Sequence, residues 1–484
     1  MSDNLQQKTF SGMVWTFGKT FSLEAFAFIQ GIILARILFP SDYGLIAMTQ
    51  VFFAVSSCFI DSGFTTALIR EKNRTALDYS TVYVTNVCLT LFFACILIIT
   101  APYIAQFYKE PILTNIVRAN SLILIINSFI AVQGTRMKIH LRFKELSICS
   151  VIVNITVGIT TIILAFLGFG VWSLIYPNFI SPFLYAALYW HYQHWFPGFR
   201  FSWNVWKKFF SFGSKLLASG LLDTIWNNIY PIIIGKKFSA RDLGFYSKAS
   251  GYAYLPSKTF QFSLAQVSFP ILCSIQDDEI HLREAYRRII RTAGYVVFPL
   301  LIGLSALAYP LIIVLITDKW ASSVPYLQVI CFAAMWYPIH ALNLNLLQVK
   351  GRSDLFLRLE IVKKILALIV ILITVRYGVL YMCIGSVITS VLCLIINTYY
   401  TGKLINVGFF TQMKDLSPSL LYALSMGAII WVIIQFIPNL KLQIFVGLIV
   451  GILYYYGVSK LTRSQELAYT KLLIRENILK RYGK

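Results

Sequence analysis

Five residues between positions 215 and 230 are the wrong kind for the apolar stretch that holds them. Lys215, Ser219, Asp223, Trp226 and Tyr230 are spaced so that a helix carries them all on one face. Trp15, Lys19, Ser22, Phe26 and Gln30 repeat the pattern near the start of the chain. A third group centres on Lys258, with Tyr254 and Gln261 on its own face and Thr259, Ser263 and Gln266 widening the polar arc. Pro256 and Pro270 bracket it, and broken helices inside a membrane are tolerated where they line a cavity. Such stripes suit an aqueous cavity in which lysines meet an anionic headgroup while Trp and Tyr stack on sugar rings. Lys258, Lys215, Lys19, Asp223, Trp226, Tyr230, Tyr254 and Gln261 are the candidate lining residues, and Glu24 and Asp223 the candidate coupling-ion sites.

Each has a plainer reading. Lys19 and Lys215 lie within two turns of a helix end, from which a lysine stem reaches the interface. Glu24 would serve equally as an interhelical hydrogen-bond partner. Trp336, His340 and Asn343, at i, i+4 and i+7, suit polar contacts between helices better than transport chemistry. Lys258 sits close to the middle of its stretch, too deep for its stem to excuse, and a charge at mid-bilayer costs roughly 2.5–3.5 kcal/mol on insertion scales.

The elements that must position these residues are membrane helices. Of the 484 residues 58% are hydrophobic and 13% charged, too little charge to solvate a soluble surface. The apolar residues form long runs, as in 151–171, 381–396 and 444–458, near the roughly 20 residues that cross a hydrocarbon core. The expected architecture is an all-α polytopic membrane protein of about fourteen transmembrane helices. Twelve are expected at 13–36, 43–69, 79–102, 112–134, 147–169, 171–192, 209–234, 247–271, 289–317, 323–347, 354–376 and 378–400, and two more at 416–437 and 439–460.

With both termini cytoplasmic, inner connections carry roughly 28 of the basic residues and outer ones roughly ten, the bias that orients membrane proteins. Arg136, Lys138, Arg142 and Lys144 form a dense inner cluster. One outer loop, 235–248, breaks the rule with Lys236, Lys237, Arg241 and Lys248. The net charge of +22 is therefore spread over connections and the tail rather than along a nucleic-acid-binding stripe, and no nucleic-acid partner is expected.

An internal repeat follows the same spacing. Residues 35–44, ARILFPSDYG, align at an offset of 200 with 235–244, GKKFSARDLG, so that a basic residue, an Asp and a Gly coincide. Phe17-Gly18-Lys19 resembles Phe212-Gly213-Ser214-Lys215. The expected organisation is a six-helix lobe over 1–192, a second over 209–400, an appended helix pair over 416–460 and a basic cytoplasmic tail over 461–484. Repeats of this kind place a substrate site between the halves.

Catalytic and metal motifs are missing. Gly18-Lys19-Thr20 looks like the end of a phosphate-binding loop, but the preceding glycine, Gly12, is one residue too far and no strand precedes it. There is no HExxH or GxSxG, and the loops are too short to hold a catalytic domain. The eight cysteines form no CxxC pair and read as packing residues. No enzyme, cofactor or metal is expected. Met1–Lys8 is polar and the first apolar stretch carries Lys19 and Glu24, so no cleavable signal peptide is expected.

Several segments resemble a known family. Residues 34–48, LARILFPSDYGLIAM, resemble the signature of the polysaccharide-exporter branch of the multidrug/oligosaccharidyl-lipid/polysaccharide exporter superfamily, closest to Wzx-type O-antigen and colanic-acid exporters. Residues 61–69, DSGFTTALI, resemble the end of its second span, and Leu243–Ala249, Phe269-Pro270 and Ile275–Asp278 its second half. The resemblance implies two helical lobes around a cationic cavity in a bacterial inner membrane. It implies alternating access that moves undecaprenyl-diphosphate-linked oligosaccharide, with membrane lipids and polysaccharide-assembly proteins as partners. It supplies no residue list, so the candidates above rest on the sequence reading. A cation-coupled drug or small-solute antiporter of the same fold is the alternative, and would lean on Glu24 and Asp223.

Overall fold

The computed structural model describes residues 2–61 and 63–468, with side chains described from Gly18 onward except at Phe21, Phe212, Lys215, Leu216, Ala218 and Ser219. Among these residues the regular structure is helical throughout. The chain forms two compact units, Met1–Gly244 and Phe245–Lys484.

The first unit holds α1 (Ser2–Ile37), α2 (Pro40–Asp61), α3 (Phe64–Arg70), α4 (Ala76–Tyr108), α5 (Leu113–Ser128), α6 (Ala131–Ile139), α7 (Phe143–Phe166), α8 (Ile180–Gln193), α9 (Trp203–Asn227) and α10 (Ile229–Lys237). It also contains the first residues of α11 (Ala240–Ser274). The capping chemistry is local. Thr75 Oγ1 accepts from the Asp78 amide at 3.3 Å while Asp78 Oδ2 accepts from the Thr75 amide at 2.6 Å, a reciprocal cap that starts α4. At the other end of α4, Lys236 Nζ donates to the Phe107 carbonyl at 2.6 Å and lies 4.0 Å from the Phe107 ring centroid. A cation there satisfies an end carbonyl and complements the helix dipole. One of the four basic residues that break the loop-charge rule, Lys236, is thus a helix cap.

The repeat read from the sequence is structural. Starting at Pro40 and Ala240, α2 and α11 keep the offset of 200. Asp42 Oδ2 accepts from the Phe39 amide at 2.9 Å, and Asp242 Oδ2 from the Ser239 amide at 3.3 Å. A β-carbon on Gly44 would overlap the Ala240 carbonyl oxygen, and one on Gly244 would overlap that of Pro40. The two helix starts therefore cross with backbone on backbone, which a glycine at each position permits. At its other end α2 breaks at Gly63 (φ 74°), where a β-carbon would meet the Gly213 Cα of α9 at 2.6 Å. Between them Cys58 Sγ and Thr224 Oγ1 lie 2.8 Å apart across the α2–α9 contact.

The second unit holds the rest of α11, α12 (Glu279–Ala306), α13 (Ala308–Ile316), α14 (Val324–Ala334), α15 (Tyr337–Val349), α16 (Ser353–Thr374), α17 (Val379–Ile405), α18 (Phe409–Gln435) and α19 (Leu440–Leu461). Asp278 caps α12, accepting from the His281 amide at 3.0 Å. Its core packs Tyr286, Phe298, Trp320 and Trp336, all buried. α12 is fastened to α18 by Arg287, whose Nε and Nη2 donate to the two Asp415 carboxylate oxygens at 2.7 and 2.6 Å. This fork-to-fork geometry is the strong form of an ion pair.

Among the described residues ten helical segments are long and apolar enough to cross a membrane, and α5 with α6, bent by 42°, makes an eleventh. That is fewer than the fourteen expected. The difference has a composition cause. Sequence inspection marks three further spans at α9–α10, α11 and α16, which carry Asp223, Lys258 and the Lys363–Glu360 pair. Apolar side chains cover much of the outside elsewhere, including Ile99, Phe166, Phe183 and Ile452, each more than 60% exposed. A water-soluble protein does not expose apolar surface on this scale, and a bilayer solvates it.

Candidate functional site

The candidate residues fall into distinct surroundings. On α1, Phe26 presses on Gly158 of α7, and Gln30 Oε1 lies beside the same glycine. Lys19 and Ser22 line a groove of about 480 Å³ with Ser147, Ile148, Val151 and Ile152 of α7. The α1 stripe is therefore the face that meets α7, opening into a groove at the Lys19 end. Glu24 is exposed on α1. The face of α9 that bears Gly220 and Thr224 lies on α2. Asp223 is exposed, while Trp226 and Tyr230 are half-buried. The side chains of Lys215, Ser219 and Trp15 lie outside the described residues.

In the second unit Lys258 is exposed on α11, its Nζ 5.7 Å from the Tyr254 ring centroid. Tyr254 stands edge-on to Tyr337 of α15 at 6.0 Å, and Gln261 is half-buried. Between Tyr254 and Lys258, Ser257 is fully buried and donates to the Ala334 carbonyl at 2.8 Å. That bond pins the buried face of α11, and Lys258, the next residue round the helix, is exposed. An ammonium over an aromatic face is the pairing that cation–π attraction favours. The structure brings two of the sequence candidates, Lys258 and Tyr254, together.

The plainer reading of α15 fits the hydrogen bonds. His340 Nε2 lies 3.0 Å from Ser390 Oγ, and its Nδ1 3.2 Å from Asn397 Nδ2. Asn343 and Gln412 exchange bonds at 2.9 and 3.1 Å, with Thr401 Oγ1 donating to Asn343 at 3.1 Å. These groups tie α15 to α17 and α18 and leave little polarity free for a ligand.

Sequence reading missed Lys363 and Glu360, an ion pair at 2.5 Å one turn apart on α16, with only 12% of the lysine side chain exposed. Both lie in the charged opening turns of the span expected at 354–376. The basic cluster of the first unit is also engaged. Arg136 lies 4.4 Å over the Trp195 ring and donates to Gln193 at 3.2 Å, and Arg142 donates to the Tyr192 carbonyl at 2.8 Å. Burial first, then the guanidiniums of Arg136, Arg74 and Arg142, hold the His140 imidazole below its ordinary range. Among the described residues no three His, Cys, Asp or Glu side chains are grouped to hold a metal.

A helical bundle clothed in apolar side chains, with cations and aromatics on a few of its long helices, defines a polytopic membrane protein. The family model described as "Polysaccharide biosynthesis protein" matches residues 33–325, more than half of the chain, and the chain belongs to that family. It is 25% identical over 354 residues to the teichuronic acid biosynthesis protein TuaB of Bacillus subtilis, covering 73% of each chain. To the lipopolysaccharide biosynthesis protein WzxC of Escherichia coli it is 23% identical over 401 residues, covering 82% of this chain and 80% of WzxC. Among solved structures, the inward closed conformation of the lipid II flippase MurJ superposes with a TM-score of 0.77 at 15% identity, covering 95% of this chain and all of that one. An inward-facing MATE-family multidrug resistance transporter gives 0.60 at 14% identity, over 80% and 96%. The fold is shared with both.

Proposed function

We propose that the chain is a flippase that moves a polyprenyl-diphosphate-linked oligosaccharide across a bacterial inner membrane by alternating access. The observation that carries this reading is membership of the polysaccharide biosynthesis family in a chain with the MurJ fold. The work is transport rather than catalysis: the barrier to carrying a glycan and its diphosphate through hydrocarbon is desolvation, which a polar, cationic cavity removes. Lys258 and Lys215 would meet the diphosphate, with Tyr254, Trp226, Tyr230 and Gln261 against the sugars. Lys19, which lines a groove between α1 and α7, would meet a headgroup arriving from the side.

In this reading fourteen helices span the membrane, with α9–α10, α11 and α16 as the polar spans. Both termini are cytoplasmic. Lobes over 1–192 and 209–400 rock about the site, with the pair 416–460 and the tail 461–484 appended.

Deletion of the gene in its host, followed by extraction of lipid-linked intermediates, tests the proposal. Complete repeat units accumulating on the cytoplasmic leaflet, with surface polysaccharide lost, is the expected result. Unchanged lipid-linked pools together with new sensitivity to cationic compounds would overturn it in favour of a drug antiporter using Glu24 and Asp223.

A further inference from the structure

A second binding surface lies on the outside of the second unit, where α16, α17 and the start of α18 meet. It is a groove of about 620 Å³ with an apolar floor of Leu359, Val362, Ile395 and Ile396. Its upper wall is aromatic and basic: Arg358, Tyr399, Tyr400, Phe409 and Phe410 line it. The wall is held in place by a tight reversal between α17 and α18. Asn406 takes the left-handed conformation (φ 55°), and a β-carbon on Gly402 would crowd the Gly408 Cα at 3.1 Å. That closeness leaves Phe410 86% exposed.

Three observations say what fills the groove. Below it, α16 and α17 present Ile361, Ile365, Ile369, Ile388 and Val391, all exposed and apolar, so an occupant's tail continues along hydrocarbon-facing surface. Beside it, Tyr399, Tyr400 and Phe410 form the aromatic edge that membrane proteins place at headgroup level. The charges there are positive. Among the described residues Arg358 has no hydrogen-bond or ion-pair partner, and Lys403, one turn beyond Tyr399, holds its ammonium 4.5 Å from the Tyr399 ring. Glu360, the nearest acid along α16, is already bonded to Lys363 at 2.5 Å.

We propose that this groove seats one anionic phospholipid, its phosphate between Arg358 and Lys403 and an acyl chain along Leu359, Val362 and Ile395. Basic pockets between helices at the membrane interface recognise acidic headgroups in this way, and Arg adds two parallel hydrogen bonds to a phosphate. The lipid would brace the α17–α18 reversal, where the appended helix pair joins the rest of the unit. This site is separate from the transport reading and does not depend on it.

The test uses the full-length chain in nanodiscs of equal parts phosphatidylglycerol and phosphatidylcholine, released for native mass spectrometry. The wild type is expected to retain one phosphatidylglycerol at least tenfold over phosphatidylcholine. The Arg358→Ala/Lys403→Ala double variant should lose that preference, and Arg358→Lys should keep most of it. Thermal melting of each variant in detergent identifies misfolded protein, and Phe410→Ala, which keeps both cations, is the second variant should the double one misfold; it is expected to weaken retention while keeping the preference for acidic lipid. Equal retention of the two lipids by the wild type, or an unchanged preference in the double variant, would overturn the proposal. So would undecaprenyl phosphate displacing phosphatidylglycerol at equal concentration, since the groove would then belong to the transported lipid.

Discussion

Gly44 and Gly244 sit in mirrored positions, each pressed on the backbone of the helix that the other begins: Gly44 on the Ala240 carbonyl, Gly244 on that of Pro40. The starts of α2 and α11 thus meet through the equivalent glycine of each, at a separation no side chain permits. Because the contact is backbone on backbone, one methyl group on either glycine must push the helix starts apart. Gly44→Val and Gly244→Val are each expected to reduce surface polysaccharide at least tenfold while the protein still reaches the membrane. Immunoblotting of membranes beside a glycan stain checks this, and wild-type export in both variants would show that the crossing is dispensable.

Arg287 and Asp415 join α12 to α18, and the Asp415 side chain is 6% exposed. Removing one partner of such a pair strands the other, at a cost of about 3 kcal/mol, the low end of the range because the arginine is partly solvated. Arg287→Ala and Asp415→Ala should both melt earlier in detergent, whereas Arg287→Asp with Asp415→Arg should recover part of the loss. A double variant no better than the singles would mean that the charges act separately.

Much of this was legible beforehand, for a reason that also sets the limit. Runs such as 151–171 name a membrane helix by themselves, and Asp42 and Asp242 cap their helices through contacts three residues long. Periodicity also put Lys19, Ser22, Phe26 and Gln30 on one face, but not which neighbour that face meets, and the neighbour is α7. Lys236 capping α4 from 129 residues away, and Arg287 finding Asp415 across 128, are pairings that a linear reading cannot supply. Lys363 is not among the candidates because a charged opening turn reads as a helix end, whereas the structure pairs it with Glu360 one turn back on a continuous helix.

Glu71 follows α3 and binds Lys208 of α9. The hydrogen bond from Lys208, more than its charge, holds the Glu71 carboxyl below the ordinary carboxylate range. A depressed acid stabilises the fold above its unfolded pKa, and that contribution is lost as pH falls through the folded value. The melting temperature of the wild type should therefore exceed that of Glu71→Gln at pH 7, and the gap should narrow as the medium is acidified through the folded value. A gap unchanged from pH 7 down to about pH 2 would assign the effect to packing instead.

Lys258 carries the sharpest prediction about transport. It follows the Ser257 anchor on α11, exposed, with its ammonium 5.7 Å from the Tyr254 ring, and no acid is paired with it among the contacts of the described residues. If that cation receives the diphosphate, Lys258→Ala should abolish glycan export at normal protein level, and Lys258→Arg should retain a measurable part of it, since a guanidinium also binds phosphate. Tyr254→Phe should be mild, because the ring face rather than the hydroxyl meets the ammonium, while Tyr254→Ala should approach the lysine variant. Quantified surface polysaccharide per unit of membrane protein ranks the four. Normal export by Lys258→Ala would remove this residue from the site and shift the anion-binding role to Lys215.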